Sequence, residues 1–185
     1  FREGSIWHTS ILPVAGYQFT RDISIGLGLP FDVAEEMKKK YGSVMPIYEG
    51  KTEAAPMSQD GHGVSYQDLC DIIRARVEEI MRLTLLEMPR AEYEQIVPAG
   101  LVLTGGSSNL SGIETLGCEI LRLPVRVGIP TQMQGITDIL RDPAYATGVG
   151  LLLWGAKNKT SRRWQGGWFG SRFRKLAFRV GRLFR

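Results

Sequence analysis

The sequence predicts an α/β domain in which short strands alternate with helices. Two observations carry this: Leu101-Val102-Leu103 and Val125-Arg126-Val127 are short apolar runs that read as strands, and the segments around them have helical periodicity. A third is the composition. Of 185 residues 43% are apolar, which suffices for a packed core and excludes wholesale disorder.

The elements follow in order. Residues 5–12 alternate apolar and polar side chains, the pattern of a half-buried strand, which Pro13 and Gly16 break. Residues 17–29 read as a helix with Ile23, Ile25 and Leu27 apolar. Pro30 and Asp32 open a second, with Asp32 as N-cap and the run from Val33 to Lys40 strongly helix-forming until Gly42. Residues 43–65 are mixed, with a short strand expected at 43–48 and polar turns around 58–61. Residues 65–88 form the longest predicted helix: Tyr66, Leu69, Cys70, Ile73, Val77, Ile80, Met81 and Met88 share one face, and Pro89 ends it. Leu101–Leu103 suits a buried strand leading into a Gly-Gly turn. A helix over 112–121 and a strand at Val125–Val127 come next. Asp142 before Pro143 reads as an N-cap with proline at the first helical position, starting a helix through Trp154. Residues 157–167 read as a flexible linker.

The formal charge of +4 hides an asymmetry. From Lys157 onward lie ten of the 23 cations and none of the 19 acids. The preceding 156 residues keep 13 cations against 19 acids, a net charge of −6. On a helical wheel, residues 168–185 sort by face. Phe169, Phe173, Leu176, Ala177, Val180, Leu183 and Phe184 form an apolar stripe about 120° wide. Arg172, Arg174, Lys175, Arg179, Arg182 and Arg185 flank it, with Phe178 as the misfit and Trp168 at the start. Such a helix lies in the headgroup plane of an anionic membrane, where each cation contributes on the order of 1 kcal/mol and each large side chain roughly 1.5–3 kcal/mol. A nucleic-acid tail and a partner-docking amphipathic helix are the rival readings; the former would not need a sorted apolar face.

Other classes are excluded or disfavoured. Two cysteines, Cys70 and Cys118, make no disulfide framework and read as buried thiols. No apolar run reaches the roughly 20 residues of a spanning helix, and no signal peptide is visible after Phe1. His8 and His62 stand apart from any ligand cluster, so neither a zinc site nor a catalytic triad is expected. Trp7 and Trp154 read as core or edge packing, and Trp164 and Trp168 as interfacial.

The chemistry centres on Thr104-Gly105-Gly106-Ser107-Ser108-Asn109-Leu110-Ser111-Gly112, a turn between a strand and a helix. Glycines let backbone approach a ligand closely, and a helix N-terminus favours anions. The turn is neither a Walker A loop nor a dinucleotide fingerprint, and alone it also suits a plain connector. Together with Leu101-Val102-Leu103 before it, the turn resembles the adenosine motif of the superfamily that holds actin, heat-shock chaperones and sugar kinases. Four further segments resemble one branch of it, the bacterial FtsA family: Val125-Arg126-Val127-Gly128-Ile129-Pro130, Gly135-Ile136-Thr137-Asp138, the run from Asp142-Pro143 to Leu151-Leu152, and the opening Phe1-Arg2-Glu3-Gly4-Ser5 with Leu12-Pro13-Val14-Ala15-Gly16. The terminal amphipathic helix fits too.

The resemblance implies an actin-like (ribonuclease H-like) half-module with an inserted α/β subdomain and a C-terminal amphipathic helix. Residues 1–28 would start the inner subdomain, 29–95 form the inserted one, 96–156 resume the first, 157–167 link and 168–185 target the membrane. It implies an ATP-binding structural protein with at most weak ATPase activity, in which Gly105, Gly106, Ser107 and Ser108 face Glu35, Lys38 and Lys39 across the adenosine and Gly16 lies near the phosphates. Read alone, residues 35–40 are also an ordinary solvated helix face. The family's N-terminal half, with its first phosphate loop, has no counterpart here; the second phosphate loop would fall just before Phe1, so a fragment of a longer product is expected and Mg2+ belongs to the whole protein. The implied partners are the C-terminal peptide of the division GTPase FtsZ, anionic membrane lipids, a second copy in an actin-like filament and later division proteins, at the cytoplasmic face of the division site. Arg76 and Arg82, off the apolar stripe of the long helix, would meet the acidic FtsZ peptide; ordinary surface arginines are the alternative. The membrane face would comprise Trp168, Phe169, Phe173, Leu176, Val180, Leu183 and Phe184 with Arg172, Lys175, Arg179 and Arg182. A metabolic kinase and a pilus-assembly or shape-determining actin relative are the competing readings.

Overall fold

The computed structural model describes residues 1, 4–45, 65–88, 99–131 and 139–158. The expected turns at 58–61, the linker beyond residue 158 and the amphipathic helix at 168–185 lie outside the described residues. The chain divides into two units, Phe1–Val149 and Gly150–Arg185.

In the first unit the order is α1 (Gly16–Leu27), α2 (Phe31–Tyr41), α3 (Tyr66–Glu87), β1 (Leu101–Leu103), α4 (Ile113–Leu121), β2 (Val125–Val127) and the start of α5 (Ala146–Lys157). Helix α1 opens without a polar cap residue. Gln18 substitutes: its Oε1 accepts the Ala15 N–H at 2.8 Å while its Nε2 donates to the Pro13 carbonyl at 3.0 Å. The helix ends at Gly28, which takes the left-handed conformation (φ 66°) that glycine adopts without penalty. Helix α2 starts after Pro30, so Asp32 sits in its first turn rather than at the N-cap. There it still faces the helix's positive end, while Lys38, Lys39 and Lys40 occupy the last turn. Ser65 caps α3 by accepting the Asp68 N–H at 3.4 Å.

The apolar face expected of α3 is the spine of the core. Leu69, Cys70, Ile73, Val77 and Met81 are buried along it. All of these but Cys70 join Phe19 and Ile23 of α1, Ala34 and Met37 of α2, and Ile113, Leu116 and Leu121 of α4 in one cluster. Strands β1 and β2 pair in parallel with Leu101 opposite Val125 and Leu103 opposite Val127. Parallel neighbours need a crossover, and α4 supplies it. A single parallel bridge, Ser43 to Ser111, replaces the described part of the strand expected at 43–48.

Four expectations are corrected. Residues 6–12 form no strand and lie largely exposed, with Ile11 at 88%, because among the described residues no neighbouring strand pairs with them. For the same reason β1, expected to be buried, leaves Val102 exposed: the described sheet has two strands, not a covered stack. Trp7 and Trp154 are more than half exposed, so of core or edge packing the core reading does not hold. Cys118 is exposed although Cys70 is buried. Burial pushes the Cys70 thiol up, and burial next to Cys70 raises the Tyr66 hydroxyl to about 12, so this pair packs as neutral groups.

The second unit is described over residues 150–158, the last turns of α5. Leu151, Leu152 and Trp154 are exposed there, and the N–H of Asn158 closes the helix on the Trp154 carbonyl at 2.9 Å. No helix among the described residues is long and apolar enough to cross a membrane.

Candidate functional site

One wall of the site is the Gly-Gly turn after β1. Gly105 adopts φ 95°, ψ 166°, a conformation essentially restricted to glycine. The chain then winds into a 3-10 turn, Gly106–Asn109, closed by Ser108 Oγ donating to the Gly105 carbonyl at 2.7 Å. A second loop locks this turn from behind. The Gly105 N–H and the Thr104 hydroxyl both donate to the Pro143 carbonyl, at 3.0 and 3.2 Å. Asp142 Oδ1 accepts from Asn109 Nδ2 at 2.9 Å and from the Ala144 N–H at 2.7 Å, and these bonds, the backbone one first, hold its carboxyl below the ordinary range. Asp142 thus caps its own turn, as the sequence predicts, and also ties that turn to the Gly-Gly loop.

The opposite wall comes from α1 and α2. Lys38 Nζ donates to the Gly16 carbonyl at 3.1 Å, to Thr20 Oγ1 at 2.8 Å and to Glu35 Oε2 at 2.6 Å. Thr20 also donates to Glu35 Oε2. Lys39 reaches Glu35 Oε1 at 3.1 Å. Burial alone would raise the Glu35 carboxyl, but the hydrogen bonds from Lys38, Thr20 and Lys39 and the charge on Lys38 outweigh it and hold the group at about 2. The carboxylate is therefore ionised through the neutral range.

Between the walls lies a cleft of about 940 Å³. Gly16, Glu35, Lys38 and Lys39 line it together with Gly105, Gly106, Ser107 and Ser108, so the three segments singled out in the sequence meet in one cavity. Gly16 is the pinch point. A Cβ there would come 2.8 Å from Ser107 Oγ, so the start of α1 lies against the turn and a side chain at this position would make the Ser107 hydroxyl rotate away. The cleft is lined mostly by carbon with a few convergent polar groups, the usual make-up of a small-ligand site.

The structure adds residues that the sequence reading missed. Thr20, wholly buried, is the hydroxyl that both Lys38 and Glu35 use. Its signal was present: a polar residue between Phe19 and Ile23 on the buried face of α1. Tyr17 and Phe31 form a tilted aromatic pair at the cleft, centroids 5.3 Å apart, which the linear distance between them concealed.

Arg76 and Arg82, the two α3 arginines singled out in the sequence, fall outside this cleft. Arg76 binds Asp22 of α1 at 2.5 Å and also pairs with Glu79, so it joins two helices. Burial opposes its charge, but the hydrogen bond to Asp22 dominates and raises its pKa. Arg82 pairs with Glu78 at 3.2 Å and stays 68% exposed.

The family model "Cell division protein FtsA" matches residues 1–150. The chain is 39% identical over 164 residues to cell division protein FtsA of Pseudomonas aeruginosa, covering 86% of this chain and 39% of that protein. For FtsA of Neisseria meningitidis the figures are 38% over 157 residues, 82% and 38%, and for FtsA of Escherichia coli K12 they are 31% over 166 residues, 84% and 40%. The chain thus spans about two fifths of the length of these relatives. Among solved structures, MreB 5 of Spiroplasma citri bound to AMPPNP superposes with a TM-score of 0.51 at 15% identity, over 78% of this chain and 47% of that one, which shows the actin-like fold.

Proposed function

The chain belongs to the FtsA family of cell division proteins, and on that premise we propose that it is the nucleotide-contacting and membrane-proximal part of an adaptor that binds ATP and tethers the FtsZ ring to the cytoplasmic face of the membrane at the division site. The observation that carries the nucleotide half of this reading is the meeting of Gly16, Glu35, Lys38 and Lys39 with residues 105–108 in one cleft. The groups suit adenosine: a fixed carboxylate accepts a ribose hydroxyl, an exposed lysine flanks the base, and a glycine turn allows flat contact. Gly16 at the start of α1 is suited to the phosphate side. MreB 5, which shares the fold, was solved with AMPPNP, a ligand of this class.

No group of three metal-ligating side chains occurs among the described residues. Glu35 and Asp142 in the cleft are both already hydrogen-bonded. The Mg2+ that accompanies ATP would accordingly be held by the phosphates and by the rest of a full-length protein, not by these residues.

The membrane half rests on the sorted tail. Residues 1–156, at net −6, would be repelled by an anionic leaflet, whereas 168–185 supplies cations around an apolar stripe. A metabolic kinase on the same fold has no use for such a tail. For the FtsZ peptide Arg82 is the better candidate, since Arg76 is committed to Asp22. Self-assembly into an actin-like filament and recruitment of later division proteins complete the reading.

Flotation with anionic vesicles tests the anchor: the chain should rise with the vesicles and a form lacking 168–185 should not. Flotation that survives the deletion refutes it. A labelled FtsZ C-terminal peptide should bind saturably and more weakly to Arg82→Glu. Its failure to bind any longer form would favour a pilus-type or shape-determining role.

A further inference from the structure

We propose that Thr20 is a positioning residue for nucleotide selection: through Glu35 and Lys38 it fixes one carboxylate oxygen, Glu35 Oε1, as the acceptor for a ribose hydroxyl, so that the cleft discriminates ribonucleotides from deoxyribonucleotides. This rests on the nucleotide reading given above and deepens it. Thr20 is 0% exposed on the inner face of α1 and stands in the cleft wall behind Glu35 and Lys38, its hydroxyl already bonded to both. Its hydroxyl accepts from Lys38 Nζ and donates to Glu35 Oε2, linking two groups on α2 to α1.

An ammonium has three N–H donors. Those of Lys38 meet Gly16 O, Thr20 Oγ1 and Glu35 Oε2, and its side chain is only 10% exposed, so none is left for a ligand. Lys38, which the sequence casts as a base-flanking cation, is thereby a structural pin. Glu35 Oε2 is likewise saturated by Lys38 and Thr20. Oε1 has Lys39 at 3.1 Å, and Lys39 is 69% exposed. A carboxylate oxygen accepts about two hydrogen bonds, so Oε1 keeps capacity for one hydroxyl from the cleft. Without the Thr20 hydroxyl, Oε2 is held by Lys38 alone and Oε1 by the exposed Lys39, so the carboxylate loses its anchor on α1 and Oε1 its fixed direction toward the cleft.

The test is the affinity of the full chain, and of a full-length form of the protein, for ATP, 2′-deoxy-ATP and 3′-deoxy-ATP, measured by calorimetry. A hydrogen bond to a charged group corresponds to roughly tenfold or more in affinity, so at least one deoxy analogue should bind that much more weakly to the wild type. Thr20→Val should bring the ratio to within about twofold. Thr20→Ser, which keeps the hydroxyl, should restore most of it, and Glu35→Gln should abolish it. A merely destabilising change would weaken all three nucleotides alike and leave the ratio intact. Should Thr20→Val fail to fold, Thr20→Ala reads the same ratio. If the wild type binds ATP but neither deoxy analogue is disfavoured, or Thr20→Val keeps the ratio, the proposal is overturned while the nucleotide reading stands. If no form binds ATP, both fall.

Discussion

Helices α2 and α3 carry the same kind of charge pattern, with acids and bases three or four residues apart, yet the two rows have different physics. On α3, Arg74–Glu78 and Arg82–Glu78 run along an outer face, at 3.1 and 3.2 Å, and the second of these arginines is largely in solvent. Such pairs are worth a few tenths of a kcal/mol. On α2, Glu35–Lys38 has α1 beside it, and the Gly16 carbonyl and Thr20 hydroxyl complete the lysine's shell. A neighbouring helix turned one pair from a solvated ornament into the wall of a cleft. The lesson is that spacing along a helix defines which charges meet, and the element packed against them decides what the meeting is worth.

The largest effect expected is at the pin. Lys38→Met leaves the half-buried Glu35 with Thr20 and Lys39 and removes the tie to Gly16, and should cost about 2–3 kcal/mol in chemical denaturation. A smaller loss from Lys38→Met than from Arg82→Ala would erase the contrast between the helices. Next comes the turn facing the pin. Gly105→Ala, at φ 95°, should cost about 1–3 kcal/mol, whereas Gly106→Ala, whose new methyl would meet Ala144 Cβ at 3.9 Å, should be nearly neutral. On α3, Arg76→Met breaks the cross-helix bond to Asp22 and should cost about 1 kcal/mol. Arg82→Ala should change stability by less than about 0.5 kcal/mol.

A pH titration sharpens the same comparison. The folded Glu35 carboxyl sits at about 2 against an ordinary value of 4.5. A lowered folded pKa stabilises the protein above the unfolded value and loses that contribution as pH falls through the folded one. The thermal-stability advantage of the wild type over Glu35→Gln should therefore be constant above pH 4.5 and shrink between 4.5 and about 2. An advantage that grows in acid would contradict the pinned carboxylate.

Much of the fold is legible in the linear order. The 3.6-residue row of α3 predicts its buried face because a helix of 22 residues has only one side to turn to a core. Leu101–Leu103 and Val125–Val127 are found as strands because each is a short apolar run bounded by turn residues. Residues 5–12 mislead because alternation predicts a strand only where another strand pairs with it. At the site, glycine, acid and base could be picked out by type, and the resemblance to an adenosine motif linked the two ends. Thr20 shows in the sequence only as a polar residue on an apolar face; its role, like that of the Tyr17–Phe31 pair, depends on which helices face each other.

The sequence by itself determined the charge division, −6 before residue 157 and ten cations after it, and the angular sorting of residues 168–185, because these are properties of composition and period alone. It also determined which segment holds the glycines of the turn. The tertiary structure decided that Lys38 is a pin rather than a free cation and that Arg76 binds α1 rather than standing open. The physical reason is saturation: a side chain is available to a ligand only when its donors and acceptors are not already met, and only packing across 15 to 54 residues of intervening chain fixes that.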